Sequence, residues 1–182
     1  MQPIKRLTNA LEVLADVEHY LFTLNDLRAL LPHSSISAFK TLLSRGVKEG
    51  YFIRVCRGLY LYKRMIPASG LILFHAATRL RANDFNYISL ETVLSDAGII
   101  SQQPINWITV MSSGRSNQIN CGQFGTIEFI HTQQKPDEIR EALHYDFRCK
   151  LWRASVKQAL RDMKITKRDT DLIDWEAANE FT

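Results

Sequence analysis

The chain has 182 residues, 46% of them apolar and 10% aromatic, which suffices for a hydrophobic core in one or two small domains and excludes a disordered chain. Its net charge of +4 is uneven, because residues 1–66 carry ten Lys and Arg against five Asp and Glu, whereas residues 67–182 carry thirteen against fourteen. Three widely spaced cysteines and the lack of an apolar run long enough for a bilayer argue against a disulfide framework, a zinc site and a membrane span.

Residues 4–16 predict a first amphipathic helix, because apolar residues recur there at helical spacing. The residues on this stripe are Ile4, Leu7, Leu11 and Leu14. The same stretch contains Glu12 and Asp16 and lacks the apolar centre of a signal peptide. We therefore expect a soluble, cytoplasmic protein whose cysteines are small core residues. His19–Thr23 is expected to add a short strand to the sheet of the next module.

The stretch Tyr20–Lys63 predicts a helix, a turn, a second helix and a two-stranded hairpin, which is the order of a winged helix-turn-helix. Leucines at helical spacing form the first helix, and Pro32 ends it. Ser34 or Ser35 is expected to cap the second helix. A two-residue turn that contains glycine is typical of a hairpin. The two strands and their turn are Tyr51–Cys56, Leu59–Lys63 and Arg57-Gly58.

The second helix has two unlike faces. Its buried face is predicted to hold Ile36, Phe39, Leu42, Leu43 and Val47. The other face carries hydroxyls and cations, and no acidic residue occurs between Leu27 and Lys48. Because phosphates and base edges both accept such side chains, the pattern predicts DNA binding; the alternative is a small α+β module whose basic face serves only solubility.

The candidate DNA contacts fall into two groups. Base edges or flanking phosphates are expected to meet Ser35, Ser37, Lys40, Thr41 and Ser44. Phosphates are expected to meet Arg45, Lys48, Arg54, Arg57, Lys63 and Arg64. A single module of this kind reads a short site, so two copies on repeated half-sites are expected.

A domain boundary is predicted after residue 66, where Pro67 and the small residues Ala68-Ser69-Gly70 follow. The helices expected beyond it are Leu71–Leu80, one begun by Ser89 and ended by Gly98, a short one from Pro136, one from Ser155 to Met163 and a final one over Asp169–Phe181. The strands expected there are Tyr87–Ser89, a central strand over Ile105–Met111, Thr126–His131 and Tyr145–Trp152. The segment Ile119–Cys121 is expected to pair with the central strand. We therefore predict an α+β protein, with a winged helix-turn-helix in residues 1–66 and a small α+β domain with a short mixed sheet in residues 67–182.

Signals for catalysis are weak. The sequence has no phosphate-cradling glycine loop, no HExxH and no GxSxG. The run Ser112–Ser116 lacks a Lys after its glycine and is expected to turn between strands. Glu128 and His131 lie three residues apart on a predicted strand, so their side chains point to opposite faces, and His75 is expected to be structural. We predict no catalytic residue, no metal and no cofactor.

Several sequence blocks match one family pattern. In the N-terminal half they are LFTLNDLRALLP, the serine-rich start of the second helix, LLSRGVKEGYFIRVCRGLYLY and, above all, Arg57-Gly58-Leu59-Tyr60. In the second half they are Tyr87–Glu91, Leu94–Gly98, Ile108–Val110, Gly122–His131 and Ala154–Leu160. With these blocks the chain resembles the AbiEi family of antitoxins, which belong to type IV AbiE-like toxin–antitoxin systems.

The resemblance implies a bifunctional protein. Its N-terminal domain would bind inverted repeats in its own promoter and repress the operon. Its C-terminal domain would counteract a nucleotidyltransferase-like toxin, which in the family requires no stable complex between the two proteins. Two other hypotheses remain open: a winged-helix regulator whose second domain binds a ligand or a protein, and a nucleic-acid enzyme tethered by the winged helix.

Overall fold

The protein has an α+β fold. The computed structural model describes residues 2–66, 70–101 and 104–181. The chain divides into two compact units, Met1–Ile72 and Leu73–Thr182. The boundary predicted after residue 66 adjoins residues 67–69, which lie outside the described residues.

Among its described residues, the N-terminal unit contains three α-helices and a small antiparallel sheet. In chain order these are α1 (Pro3–Leu14), β1 (Leu21–Thr23), α2 (Leu24–Ala29), α3 (Ile36–Lys48), β2 (Phe52–Cys56) and β3 (Leu59–Tyr62). The strand order is β1-β3-β2, with both pairings antiparallel. The helix-turn-helix, the hairpin and the additional strand from His19–Thr23 therefore all form where the sequence predicts them.

Side-chain caps fix where α2 and α3 begin. Thr23 accepts a hydrogen bond from the backbone N–H of Asp26, whose carboxylate accepts one from the N–H of Thr23 in return. Ser35 caps α3, since its hydroxyl oxygen accepts from the N–H of Ala38 at 3.2 Å. Both arrangements satisfy backbone donors that a helix start leaves free.

The core of the N-terminal unit lies where α1, α3 and the sheet meet. Its buried residues include Leu7, Leu11, Phe39, Leu43 and Phe52. Gly46 allows α3 to approach the sheet closely, because a Cβ there would stand 2.9 Å from the Phe52 ring. Two positions predicted to be buried are half exposed, Leu14 at 53% and Ile36 at 50%; each lies at an end of its helix, where the packing stops.

The C-terminal unit is built on a six-stranded mixed sheet. Its helices are α4 (Ile72–Leu80), α5 (Glu91–Asp96), α6 (Pro136–Ile139), α7 (Val156–Ile165) and α8 (Trp175–Asn179). Its strands are β4 (Asn86–Ile88), β5 (Trp107–Ser112), β6 (Asn117–Asn120), β7 (Thr126–His131), β8 (Leu143–Asp146) and β9 (Leu151–Ala154). The strand order is β6-β7-β5-β4-β9-β8, and the short mixed sheet predicted for this unit is confirmed.

Three sequence predictions about these strands and the last helix are wrong. The segment around Ile119 pairs with β7, and β7 itself runs parallel to β5. The stretch Tyr145–Trp152 forms a hairpin of two strands, because Asp146 accepts hydrogen bonds from the N–H groups of Arg148 and Cys149 and stabilises a turn. The final helix is confined to α8, since Asp174 caps it by accepting from two backbone N–H groups.

The start of α5 also differs from the prediction. Ser89 is completely buried, and its hydroxyl donates a hydrogen bond of 2.6 Å to the carboxylate of Asp162. Leu90, with φ at +58°, precedes the helix instead and provides no side-chain cap. Ser89, which the sequence predicts to begin the helix, therefore forms a buried hydrogen bond in the core of this unit instead.

Candidate nucleic-acid interface

A cleft of about 600 Å³ separates α3 from the β2–β3 hairpin of the N-terminal unit. Helix α3 contributes residues one and two turns apart, which share a face of the helix. The lining residues are Leu24, Lys40, Ser44, Val47, Lys48, Arg54, Arg57, Gly58 and Tyr60. Five of the predicted DNA contacts thus meet in one place, although they come from two separate elements.

The cleft is strongly basic. Lys40 and Lys48 lie on the α3 wall, and Arg54 and Arg57 come from the hairpin. No carboxylate is found among the described residues that line it. Cations gathered in a concave surface without counter-charges raise the local potential and attract a phosphate backbone.

The hairpin turn has a fixed position beside α2. Gly58 takes a φ of +80°, which a glycine adopts without strain. Its carbonyl oxygen accepts a 2.9 Å hydrogen bond from the backbone N–H of Leu24, the first residue of α2. This bond holds the turn, and Arg57 within it, against the helix-turn-helix.

The remaining predicted contacts on α3 and at its cap are exposed but lie outside the cleft lining, at Ser35, Ser37, Thr41 and Arg45. Two of their hydroxyls already serve the helix itself. Ser35 caps α3, and Thr41 donates a 3.0 Å hydrogen bond to the carbonyl oxygen of Ser37. These two residues therefore have less freedom to contact bases than Ser44, which lines the cleft.

The two cations that follow the hairpin also lie outside the cleft lining. Lys63 and Arg64 are exposed in a short 3-10 turn, Lys63–Met65. The guanidinium of Arg64 forms an ion pair with Glu12 of α1. Arg64 is thus partly neutralised within the protein.

Sequence reasoning missed Leu24, Val47 and Tyr60 as parts of the cleft. Tyr60 lies directly opposite Arg54 in the antiparallel pair β2–β3, so the two side chains share one face of the sheet. The sequence signal for Tyr60 is the alternation of side chains along β3: Leu59 and Leu61 are buried, so Tyr60 between them points to the other face.

The C-terminal unit carries a second, smaller cleft of about 340 Å³. At its wall Arg168 holds Glu128 through two hydrogen bonds of 3.1 Å and also pairs with Glu91. Burial raises the pKa of Glu128, but the hydrogen bonds and charge of Arg168, with a further bond from Trp107, outweigh it and leave that pKa below its usual value. The arrangement stabilises the ionised carboxylate.

The histidines named in the sequence have structural surroundings. His75 is buried, and its Nε2 lies 2.6 Å from the carbonyl oxygen of Arg148. His131 lies with its Nδ1 2.9 Å from the carbonyl oxygen of Gly114, while Glu128 on the same strand is engaged by Arg168. The two residues do not form an acid–base pair.

A scan against models of protein families finds no match, and no curated protein sequence matches the chain.

Across the described ranges, no group of three or more His, Cys, Asp or Glu residues could hold a metal ion. Within the same ranges, none of the helices has the length and apolar character that crossing a membrane requires. Cys56, Cys121 and Cys149 are buried, as predicted, and none of the three forms a disulfide.

Proposed function

We propose that the protein is a DNA-binding antitoxin of an AbiE-like toxin–antitoxin system, which represses its own operon through the N-terminal unit. The observation that supports DNA binding is the basic cleft, where α3 and the hairpin bring Lys40, Lys48, Arg54 and Arg57 together. Double-stranded DNA presents a regular row of phosphates to such a surface, and electrostatic attraction dominates the affinity.

The expected docking places α3 in the major groove and the hairpin beside the flanking backbone. Lys40 and Ser44 face the cleft from successive turns of α3 and are the side chains proposed to reach base edges. Lys48, Arg54 and Arg57 would hold phosphates on either side. Two copies on inverted half-sites would supply the length of operator that one module cannot read.

The antitoxin half of the proposal rests on the sequence blocks shared with AbiEi antitoxins. In it, the C-terminal unit counteracts a nucleotidyltransferase-like toxin in the cytoplasm, where the DNA of the operon also lies. The direct test is co-expression with a nucleotidyltransferase encoded beside the gene. If the wild-type chain and a DNA-binding-deficient variant both restore growth, toxin neutralisation does not depend on DNA binding.

A second candidate function is a winged-helix regulator whose C-terminal unit binds a small ligand. The observation that favours it is the 340 Å³ cleft of the C-terminal unit. This cleft is lined by Trp107, Thr109, Gln118 and the Arg168–Glu128 pair. Under this alternative, the neighbouring genes would encode metabolic enzymes in place of a toxin. A ligand would then change the affinity of the N-terminal unit for its operator.

The DNA-binding proposal is tested by fluorescence anisotropy with DNA from directly upstream of the gene, titrated against salt and non-specific competitor. The double variant Lys40→Ala/Arg57→Ala should lose tight, competitor-resistant binding. The matched control Lys5→Ala/Arg6→Ala removes the same charge from exposed positions on α1, outside the cleft. An equal loss in both variants, or weak binding indifferent to sequence in the wild type, would contradict a specific operator complex.

A further inference from the structure

Strand β8 is an open edge of the six-stranded sheet. Within the described residues, it pairs with β9 alone, in an antiparallel hairpin. Edge strands usually carry Lys, Pro or a bulge that prevents another chain from pairing with them. The four residues Leu143–Asp146 contain no Lys or Pro, and their pairing with β9 has no register shift. β8 has only four residues, which limits how far another strand can pair with it, but no Lys, Pro or bulge blocks its edge.

Three aromatic side chains stand exposed at this edge. Phe147 is 82% exposed, Trp152 42% and Tyr145 39%. Tyr145 contacts both of the others edge to face, with ring centroids 5.0 Å from Phe147 and 5.5 Å from Trp152. Exposed aromatic clusters of this kind mark interaction surfaces, because they bury a large apolar area at low cost in conformational entropy.

A groove of about 410 Å³ adjoins the cluster on the same face of the sheet. Phe85, Pro136, Leu143 and Trp152 give it an apolar lining, with Asp137 and Arg140 completing the wall. Trp152 belongs to both the groove and the aromatic cluster. One surface thus offers a protruding phenyl ring and a cavity that can receive such a ring, which is the condition for a self-complementary contact.

We propose that two copies of the chain pair antiparallel along β8, about a two-fold axis at Tyr145, with Phe147 of each copy filling the groove of the other. A two-fold axis through one residue preserves the alternation of side chains between the faces of the sheet. Phe147 directly follows the last residue of β8, and continuing the register by one position brings it near Leu143 of the other copy, which is a groove residue. The same axis sets His144 opposite Asp146, whose carboxylate is already held by Arg153 at 3.2 Å, so the pairing relies on the aromatic contacts.

This interface involves the C-terminal unit only and is tested without DNA, so its outcome is independent of the DNA-binding proposal. Sedimentation of the full chain over a wide concentration series should show a monomer–dimer equilibrium. Phe147→Ser should raise the dimer dissociation constant at least about tenfold. Since Phe147 is exposed, the variant should fold normally. Ile105→Ser is the matched control, because Ile105 is fully exposed and precedes a strand far from β8 in the sheet.

Cross-linking tests the register. Directly opposite residues in an antiparallel pair have Cα atoms about 4.5–5.5 Å apart, which a disulfide can bridge. Tyr145→Cys should therefore form a disulfide-linked dimer under mild oxidation. His144→Cys should not, because the two copies of that residue lie diagonally at about 7–8 Å. A monomer at every concentration, a dimer insensitive to Phe147→Ser, or equal cross-linking at both positions would overturn the proposal.

Discussion

The guanidinium of Arg64 pairs with the carboxylate of Glu12, which links the end of the hairpin to α1. Both side chains remain substantially exposed, so the pair adds little to stability. The pair nevertheless gives Arg64 a competing anion, whereas Arg57, in the cleft, has no carboxylate partner among the described residues. The two arginines, which sequence reasoning treated alike, therefore have different prospects as phosphate contacts.

The first prediction compares these arginines. Arg57→Ala should weaken operator binding and reduce the salt dependence by about one released counterion, whereas Arg64→Ala should change both quantities less. Glu12→Gln should strengthen binding at low salt, because it releases Arg64 from its partner. Anisotropy titrations at several salt concentrations measure all three. Equal slopes for Arg57→Ala and Arg64→Ala would show that the ion pair does not restrain Arg64.

The second prediction separates base reading from phosphate binding within the cleft. Lys48→Ala should weaken all DNA sequences alike and lower the salt slope by about one. Lys40→Ala should instead cost about 1–3 kcal/mol at one base pair and relax specificity there. Binding to a set of operators with single base-pair changes measures the difference. A uniform loss in both variants would remove Lys40 from the base-reading residues.

The helical period predicted much of the candidate site. All eleven predicted DNA contacts are exposed, and for those on α3 the reason is the apolar stripe, which fixes the face that points outward. The period could not predict that Tyr60 joins Lys40 in one cleft, since that depends on how the hairpin packs beside α3. Nor could it predict the pairing of Arg64 with Glu12, which lie far apart in the sequence.

In the C-terminal unit, element types were easier to predict than their partners. The strand Thr126–His131 formed where its residues predict it, but its parallel pairing with β5 is a long-range relationship that alternation does not encode. The role of Ser89 was misjudged for a related reason. A serine hydroxyl can accept a hydrogen bond from a helix N–H or donate one to a buried carboxylate, and only the position of Asp162 decides which of the two Ser89 makes.

The third prediction concerns the glycine inside α3. Gly46→Ala would gain about 1 kcal/mol of helix propensity. The new Cβ would stand 2.9 Å from the buried Phe52 ring and 3.2 Å from Ile4, however, and overpacking of this kind costs about 1–3 kcal/mol. We expect a net loss of about 1 kcal/mol in the free energy of unfolding, measured by urea denaturation. Ser44→Ala, on the exposed face of α3, should stay within about 0.5 kcal/mol of the wild type. A Gly46→Ala variant as stable as that control would mean that the ring moves aside freely.

The fourth prediction tests the buried carboxylate of Asp162, which accepts hydrogen bonds from Ser89, Gln134 and Gln158 at 2.6–2.9 Å. Asp162→Ala should lower the free energy of unfolding by about 2–4 kcal/mol, because it leaves several buried donors without an acceptor. Asp162→Asn should cost much less. Its amide oxygen can face the two glutamines while its NH₂ group donates to the Ser89 hydroxyl. Equal destabilisation by both substitutions would show that the negative charge, and not the acceptor geometry, stabilises this network.

The fifth prediction follows from the ion pair between Glu128 and Arg168. The pKa of Glu128 is lower in the folded protein than its usual value of 4.5, because Arg168 outweighs the effect of burial. A carboxyl group of this kind contributes stability above its unfolded pKa and loses that contribution as the pH falls through the folded pKa. The midpoint of urea unfolding should therefore drop as the pH is lowered below 4.5.

Glu128→Gln should be less stable than the wild type near neutral pH and should lose less stability on acidification. Glu141→Gln, at an exposed position, should retain the wild-type pH dependence. If Glu128→Gln retained it as well, the acid sensitivity would have to come from other carboxylates.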